Sequence, residues 1–240
     1  MLQNLFNYDN PVWRFIGKFG DLIVLNILWI ITSIPIVTIG ASTTAMYYVT
    51  LKLVRDEDGY TIRSYFRSFK ENFKQATVIW LIMLVVGFLL GFDLYFFIKM
   101  QTESSNFRNI MITIFASMTL IYTCILVYVF PLQSRFYNPV KRTLFNAFFM
   151  SIRHILQTIG IVAIDIVVVV LAYLSMFYAP QFSVIFLLFG VPLIAFINSF
   201  FFHAIFKKYM PKDTEHREDG EMRPLFSGEE EQAVDKQTVN

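Results

Sequence analysis

Four long apolar stretches dominate this chain: Ala76 to Ile98, Asn109 to Leu132, Ile155 to Phe177 and Phe182 to Phe206. A helix rises about 1.5 Å per residue and a bilayer's hydrocarbon core is about 30 Å thick, so ~20 apolar residues cross it. Each stretch meets that length. The 240 residues are 56% hydrophobic, include 27 Phe and are only 16% charged, which is more apolar surface than a soluble domain of this size buries. The bilayer must solvate the surplus, so the expected fold class is all-α, a polytopic membrane helical bundle.

A fifth run, Leu22 to Ile39, is followed after Gly40 by Ala41 to Val54, whose 14 residues reach only about 21 Å. Two arrangements are open. If Pro35 and Gly40 break the helix, the short piece returns as a second leg packed among neighbours, giving six transmembrane helices. If it lies along the surface there are five, and the amino terminus changes sides. The six-helix division is a leader over 1–20, a transmembrane domain over 21–206 and a disordered cytoplasmic tail over 207–240. Within the domain the spans are 22–39, 41–54, 76–98, 109–132, 155–177 and 182–206.

Charge asymmetry favours six. Lys52, Arg55, Arg63, Arg67, Lys70 and Lys74 share one connection; Arg135, Lys141, Arg142 and Arg153 share another two spans later. Both should be cytoplasmic, with both termini on that side. Each connection also reads as an amphipathic interfacial elbow helix, 61–74 and 139–153. In the first, Phe66, Phe69 and Phe73 recur at helical spacing opposite Arg63, Arg67 and Lys70, a basic face for headgroups and an aromatic face for acyl chains. Asn138-Pro139 suits the start of the second. Such aromatic interleaving fits lipid rather than nucleic acid. The tail holds 6 Lys/Arg against 9 Asp/Glu, including Glu229-Glu230-Glu231, and few apolar residues.

Polar residues inside the apolar runs form the candidate site. Asp165 lies about 15 Å deep by helical rise, where a charge facing lipid costs about 2.5 to 3.5 kcal/mol. It is expected to face the bundle interior, either as a proton-coupling or solute-contact carboxylate or as a pin between helices partnered by an asparagine, serine or tyrosine. Thr158 shares its face. Asn26 and Asn198 are the other deep polar groups, for which an interhelical hydrogen bond is a sufficient role. Asp21 stands near Lys18 and can pair with it along the helix. Gly87 and Gly91 form a Gly-xxx-Gly pair suited to close helix packing within the chain. Pro131 and Pro192 should kink their helices.

Reaction chemistry has no signature here. The three histidines lack metal-ligand spacing, and no carboxylate pair, nucleophile elbow or phosphate-binding glycine loop occurs, so no catalytic residue, metal or cofactor is expected. Cys124 is the single cysteine.

The segment Ser33-Ile-Pro-Ile-Val-Thr-Ile-Gly-Ala-Ser-Thr-Thr-Ala-Met-Tyr-Tyr48, followed by Phe66-Arg-Ser-Phe-Lys-Glu-Asn-Phe-Lys-Gln-Ala76, resembles the YesL-like family of bacterial integral membrane proteins. The resemblance covers the first 80 or so residues by motif and the rest by size and hydropathy. It implies a bacterial plasma-membrane protein whose relatives tend to be encoded beside carbohydrate ABC-transporter and polysaccharide-utilisation genes, hence ABC-transporter permease subunits as partners beside the lipid bilayer. The family is a domain of unknown function and supplies no active site. Within its motif, Pro35 and Gly40 fit a chain reversal, while Ala41, Ser42 and Ala45 permit close helix approach. The leading expectation is an accessory or assembly protein; the alternative is a small secondary transporter or channel with Asp165 titrating.

Overall fold

A computed structural model of the chain describes residues 11–57, 59–99 and 105–210, the side chains of residues 11–16 and Ser105 excepted. Residues 1–10 of the expected leader, and the tail from 211 onward, lie outside the described residues. Helix α1 runs Pro11–Ser33, α2 Ile39–Val54, α3 Thr61–Lys99, α4 Ser105–Arg135, α5 Val140–Arg153, α6 Ile155–Tyr178 and α7 Pro180–Phe206. Four of them, α3, α4, α6 and α7, are long and apolar enough to cross a membrane. With no strand among the described residues, this is a multi-pass helical membrane protein.

The first run does not continue to Ile39. Ser33 ends α1, Pro35 is extended at φ −74° and ψ 114°, and a 3₁₀ turn over Ile36–Thr38 leads into α2. Proline both biases its predecessor away from helix and lacks the N–H to continue one. Thr38 then closes the turn by donating from Oγ1 to the carbonyls of Thr32 and Pro35, at 2.6 and 2.7 Å. From Trp80 on α3, Nε1 donates to the Ile36 carbonyl at 2.8 Å, holding the turn against the next helix. Helix α2 has 16 residues, about 24 Å, and is buried on nearly every face. Neighbouring helices enclose α2, whereas in the turn that enters it Pro35, Ile36 and Val37 are exposed and only Thr38 is buried.

The expected elbow over 61–74 and the span from 76 are one helix, α3, of 39 residues and about 58 Å. Nothing in the sequence interrupts it: it holds no proline, and its first glycine is Gly87. Tyr65, Ser68 and Asn72 face inward, whereas Phe66 and Phe73 are exposed and Phe69 packs on the core. The second elbow is a separate helix, α5, because His154 leaves helical geometry at φ −113° and ψ 42°. Its start also differs from expectation: Pro139 rather than Asn138 is the capping residue, with no side-chain cap bond. Lys18 does not pair with Asp21 either. It binds Asp56 at 2.7 Å, and Asp21 accepts from the Thr61 hydroxyl at 2.6 Å, so both tie α1 to the α2–α3 connection.

The core gathers around α2, where Tyr47, Tyr48 and Leu51 meet Tyr128 to Leu132 of α4 and Phe202 to Phe206 of α7. Away from that end the helices bury little, and none of the apolar window of α4 is buried.

Candidate functional site within the bundle

On α6 the spacing Thr158, Ile161, Asp165 keeps one face toward the bundle. Thr158 and Ile161 are buried, and Asp165, next along that face, is partly buried. Asn198 on α7 is fully buried and donates from Nδ2 to Asp165 Oδ1 at 2.7 Å. Asp165 and Asn198 are thus brought together, in the pairing of aspartate with asparagine that the sequence allowed. Asn198 Oδ1 has no hydrogen-bond partner among the described residues. Tyr47 of α2 lies within electrostatic reach of Asp165 and beside Asn198. Below the pair, Phe202 makes edge contacts with Tyr47 and Tyr128, at centroid separations of 5.9 and 5.2 Å. Chemically, the site offers one carboxylate over an aromatic floor. No group of three metal-ligating side chains occurs among the described residues.

Asn26 does not join this pair. Its Nδ2 donates to the carbonyls of Leu187 and Leu188 on α7, at 2.7 and 3.1 Å. The reason is local: Gly190 adopts φ 38° and ψ −129°, and Pro192 has no N–H for the Leu188 carbonyl. A broken helix in lipid leaves carbonyls needing donors, and Asn26 supplies them. The fit is close, since a Cβ on Gly190 would stand 2.8 Å from Asn26 Oδ1, and the positive φ already favours glycine.

Thr158 bridges α6 to its neighbours: it meets the Tyr128 hydroxyl at 2.8 Å and donates to the Ser151 carbonyl at 2.8 Å. Several polar links escaped sequence reasoning. Thr50 meets Ser199 at 2.8 Å between α2 and α7, and Thr32 meets Tyr65 at 2.6 Å between α1 and α3. Gln133, wholly buried, donates to Asn72 Oδ1 at 3.1 Å and Gln75 Oε1 at 2.8 Å, and accepts from Thr143 Oγ1 at 3.1 Å. One glutamine therefore joins α3, α4 and α5. The available signal was a glutamine immediately after the apolar run that ends at Leu132, two residues beyond Pro131, but such positions read equally well as solvent-facing helix ends.

The packing residues divide. A Cβ on Gly40 would lie 2.5 Å from both the Ala76 carbonyl oxygen and Trp80 Cβ, so only glycine lets α2 and α3 approach this closely. Ala41, Ser42 and Ala45 are fully buried along the same helix, with the Ser42 hydroxyl donating to the Thr38 carbonyl at 3.0 Å. Gly87 makes room for Tyr122 of α4, whose hydroxyl donates to the Met83 carbonyl at 2.9 Å, whereas Gly91 faces open space. Arg63, Arg67 and Lys70 lie on the exposed side of α3, and Arg67 Nε bonds Glu71 Oε1 at 3.0 Å one turn on.

Fold and site together define a multi-pass helical membrane protein whose deep polar groups link helices. Residues 22–94 match the family model described as "Protein of unknown function, DUF624". That range contains both motifs that carry the resemblance, and it corresponds to the second half of α1, the Pro35 turn, α2 and most of α3. The chain is also similar to the "Uncharacterized protein YesL" of Bacillus subtilis (strain 168), 27% identical over 134 residues, which is 54% of this chain and 61% of that protein. The aligned region therefore spans about three fifths of that relative's length. Both findings support a YesL-like family of unknown function. No solved structure matches the chain significantly.

Proposed function

We propose that this chain is an accessory or assembly protein of the plasma membrane that acts by helix contact with a transporter, of the ABC permease class in carbohydrate uptake, rather than by catalysis. The observation that carries this reading is the use of the deep polar side chains: Asp165, Asn198, Asn26 and Thr158 all bond to neighbouring helices. They hold a scaffold together. Sidedness follows from the basic residues gathered at one end, where α2, α4 and α7 finish and α3 and α5 begin; that end is assigned to the cytoplasm, with both termini. Affinity capture from gently solubilised membranes is expected to recover permease subunits reproducibly. Recovery of the protein alone, across several mild detergents, sinks the reading.

A second reading rests on Asp165 itself, partly buried, with the Asn198 amide oxygen beside it unpaired among the described residues. Under it, Asp165 titrates during transport. Reconstituted vesicles should then show a solute or proton flux that Asp165→Asn abolishes; an unchanged flux removes this role.

A further inference from the structure

A cleft of about 420 Å³ opens where the basic segment of α3 meets the connection between α4 and α5. Helix α3 lines it with Phe69, Phe73 and four polar side chains, and the connection adds Tyr137. That volume lies within the range of small-ligand sites. The elements around it are fixed from inside, because buried Gln133 of α4 bonds Asn72 and Gln75 of α3 and Thr143 of α5. The cleft therefore belongs to the packed end of the bundle.

Its lining is rich in uncommitted donors. Lys70 and Lys74 stand one turn apart at exposed positions, and among the described residues neither ammonium has an ion pair. Gln75 accepts from Gln133 through Oε1 at 2.8 Å, which leaves its amide N–H groups without a partner among the described residues. Tyr137 is exposed, and its hydroxyl is likewise unengaged among them. Glu71 is the one carboxylate in the lining, and its Oε1 is already bound by Arg67 Nε at 3.0 Å. Two cations and two neutral donors suit an anion with several acceptor oxygens. Depth selects which anion. Gln75 directly precedes the apolar run that begins at Ala76, and Lys70 lies about 9 Å before that run by helical rise. The cleft thus stands at headgroup level, where the Phe69 and Phe73 rings, 5.4 Å apart, add an apolar flank. A free phosphate has no use for that flank, whereas a phospholipid uses both.

We propose that the cleft between α3 and the α4–α5 connection binds the headgroup of an anionic phospholipid, with Lys70 and Lys74 holding the phosphate and Gln75 and Tyr137 donating to the remaining oxygens. Arg63 and Arg67 share the exposed side of α3 but do not line the cleft, so the site is narrower than the basic face as a whole. The proposal does not depend on the accessory reading.

The test follows thermal unfolding of the purified full-length protein in detergent micelles. Three probes are titrated: phosphatidylglycerol, phosphatidylcholine at the same mole fractions, and inorganic phosphate at constant ionic strength. A ligand of the folded form raises the unfolding temperature with its concentration. Phosphatidylglycerol should stabilise the wild type at mole fractions where phosphatidylcholine, whose choline the lysines repel, does not. The double variant Lys70→Gln/Lys74→Gln should need about tenfold more phosphatidylglycerol for the same shift. Arg63→Gln/Lys141→Gln removes as much charge from exposed positions outside the cleft, and should change that requirement by about twofold or less. Equal losses from the two double variants would mean unspecific surface attraction and overturn the site. Stabilisation by inorganic phosphate but not by phosphatidylglycerol would overturn the lipid assignment, and a wild type indifferent to phosphatidylglycerol would do the same. Should the lysine double variant not fold, Lys74→Gln against Arg63→Gln makes the same comparison. A severalfold loss is expected from the first alone, and wild-type affinity in Lys74→Gln would also overturn the proposal.

Discussion

The part of the bundle around α2 and the part beyond Asp165 and Gly190 are built from comparably apolar helices, yet they are held in different ways. Around α2, small and polar residues are inside: Gly40, Ala41, Ser42, Thr44 and Ala45 let helices touch, and Thr50, Gln133 and Asn72 bond across them. Beyond, the large apolar residues face outward, as at Phe88, Leu120 and Leu187. Lipid is as apolar as leucine, so hydrophobicity does not drive helices together in a membrane. Close packing and hydrogen bonds do. The contrast teaches that in this chain helices pack closely where small and polar residues accompany the large apolar ones, as around α2, whereas large apolar residues alone leave a helix facing outward.

Substitutions that confront the two regions directly should give the largest difference. Gly40→Leu forces a side chain into the Ala76 carbonyl and Trp80, and should cost about 3 kcal/mol or more or prevent accumulation of folded protein. Gly91→Leu, facing open space, should change stability by less than about 0.5 kcal/mol. Thermal unfolding in detergent measures both, and equal effects would erase the distinction. An intermediate effect is expected at the joint between the regions. Asn26→Ala removes the donors for the Leu187 and Leu188 carbonyls and should destabilise by about 1 to 2 kcal/mol, while raising hydrogen exchange near Gly190. Unchanged exchange there would show that the break is satisfied by other means.

The smallest effect sharpens the comparison from the basic end. His154 bonds Gln157 through Nδ1 and Tyr209 through Nε2, and burial holds its imidazole below the usual histidine range. The unfolded chain thus takes up a proton first as pH falls. The neutral ring's contribution is complete above about 6.5, declines as pH drops through that value toward the folded one, and then levels off. Thermal stability scanned across pH should show this slope in the wild type and lose it in His154→Phe.

Much of the architecture was legible because it depends on local composition. The four long stretches became α3, α4, α6 and α7, and Pro35 broke the first run where proline must. The continuity of α3 was less legible. A basic-aromatic segment beside an apolar one looks like two environments, but helices are interrupted by residues that break backbone geometry, and none intervenes between Thr61 and Gly87. Of the deep polar residues, Asp165 and Asn198 announced themselves by depth and Gln133 did not, lying near a helix end where glutamine is ordinary. Phe69 shows the same limit: its helical spacing matched Phe66 and Phe73, yet it packs on the core while they do not.

By itself the sequence determined that the chain is helical, that it lives in a membrane and where its basic residues concentrate, because hydropathy and charge act on each segment separately. Which polar groups would meet was decided only by tertiary structure. Asp165 with Asn198, Asn26 with the broken α7, and Thr50 with Ser199 are separated by 33, 161 and 149 positions respectively. A hydrogen bond acts over a few ångströms of space, and only the packing of helices sets that distance.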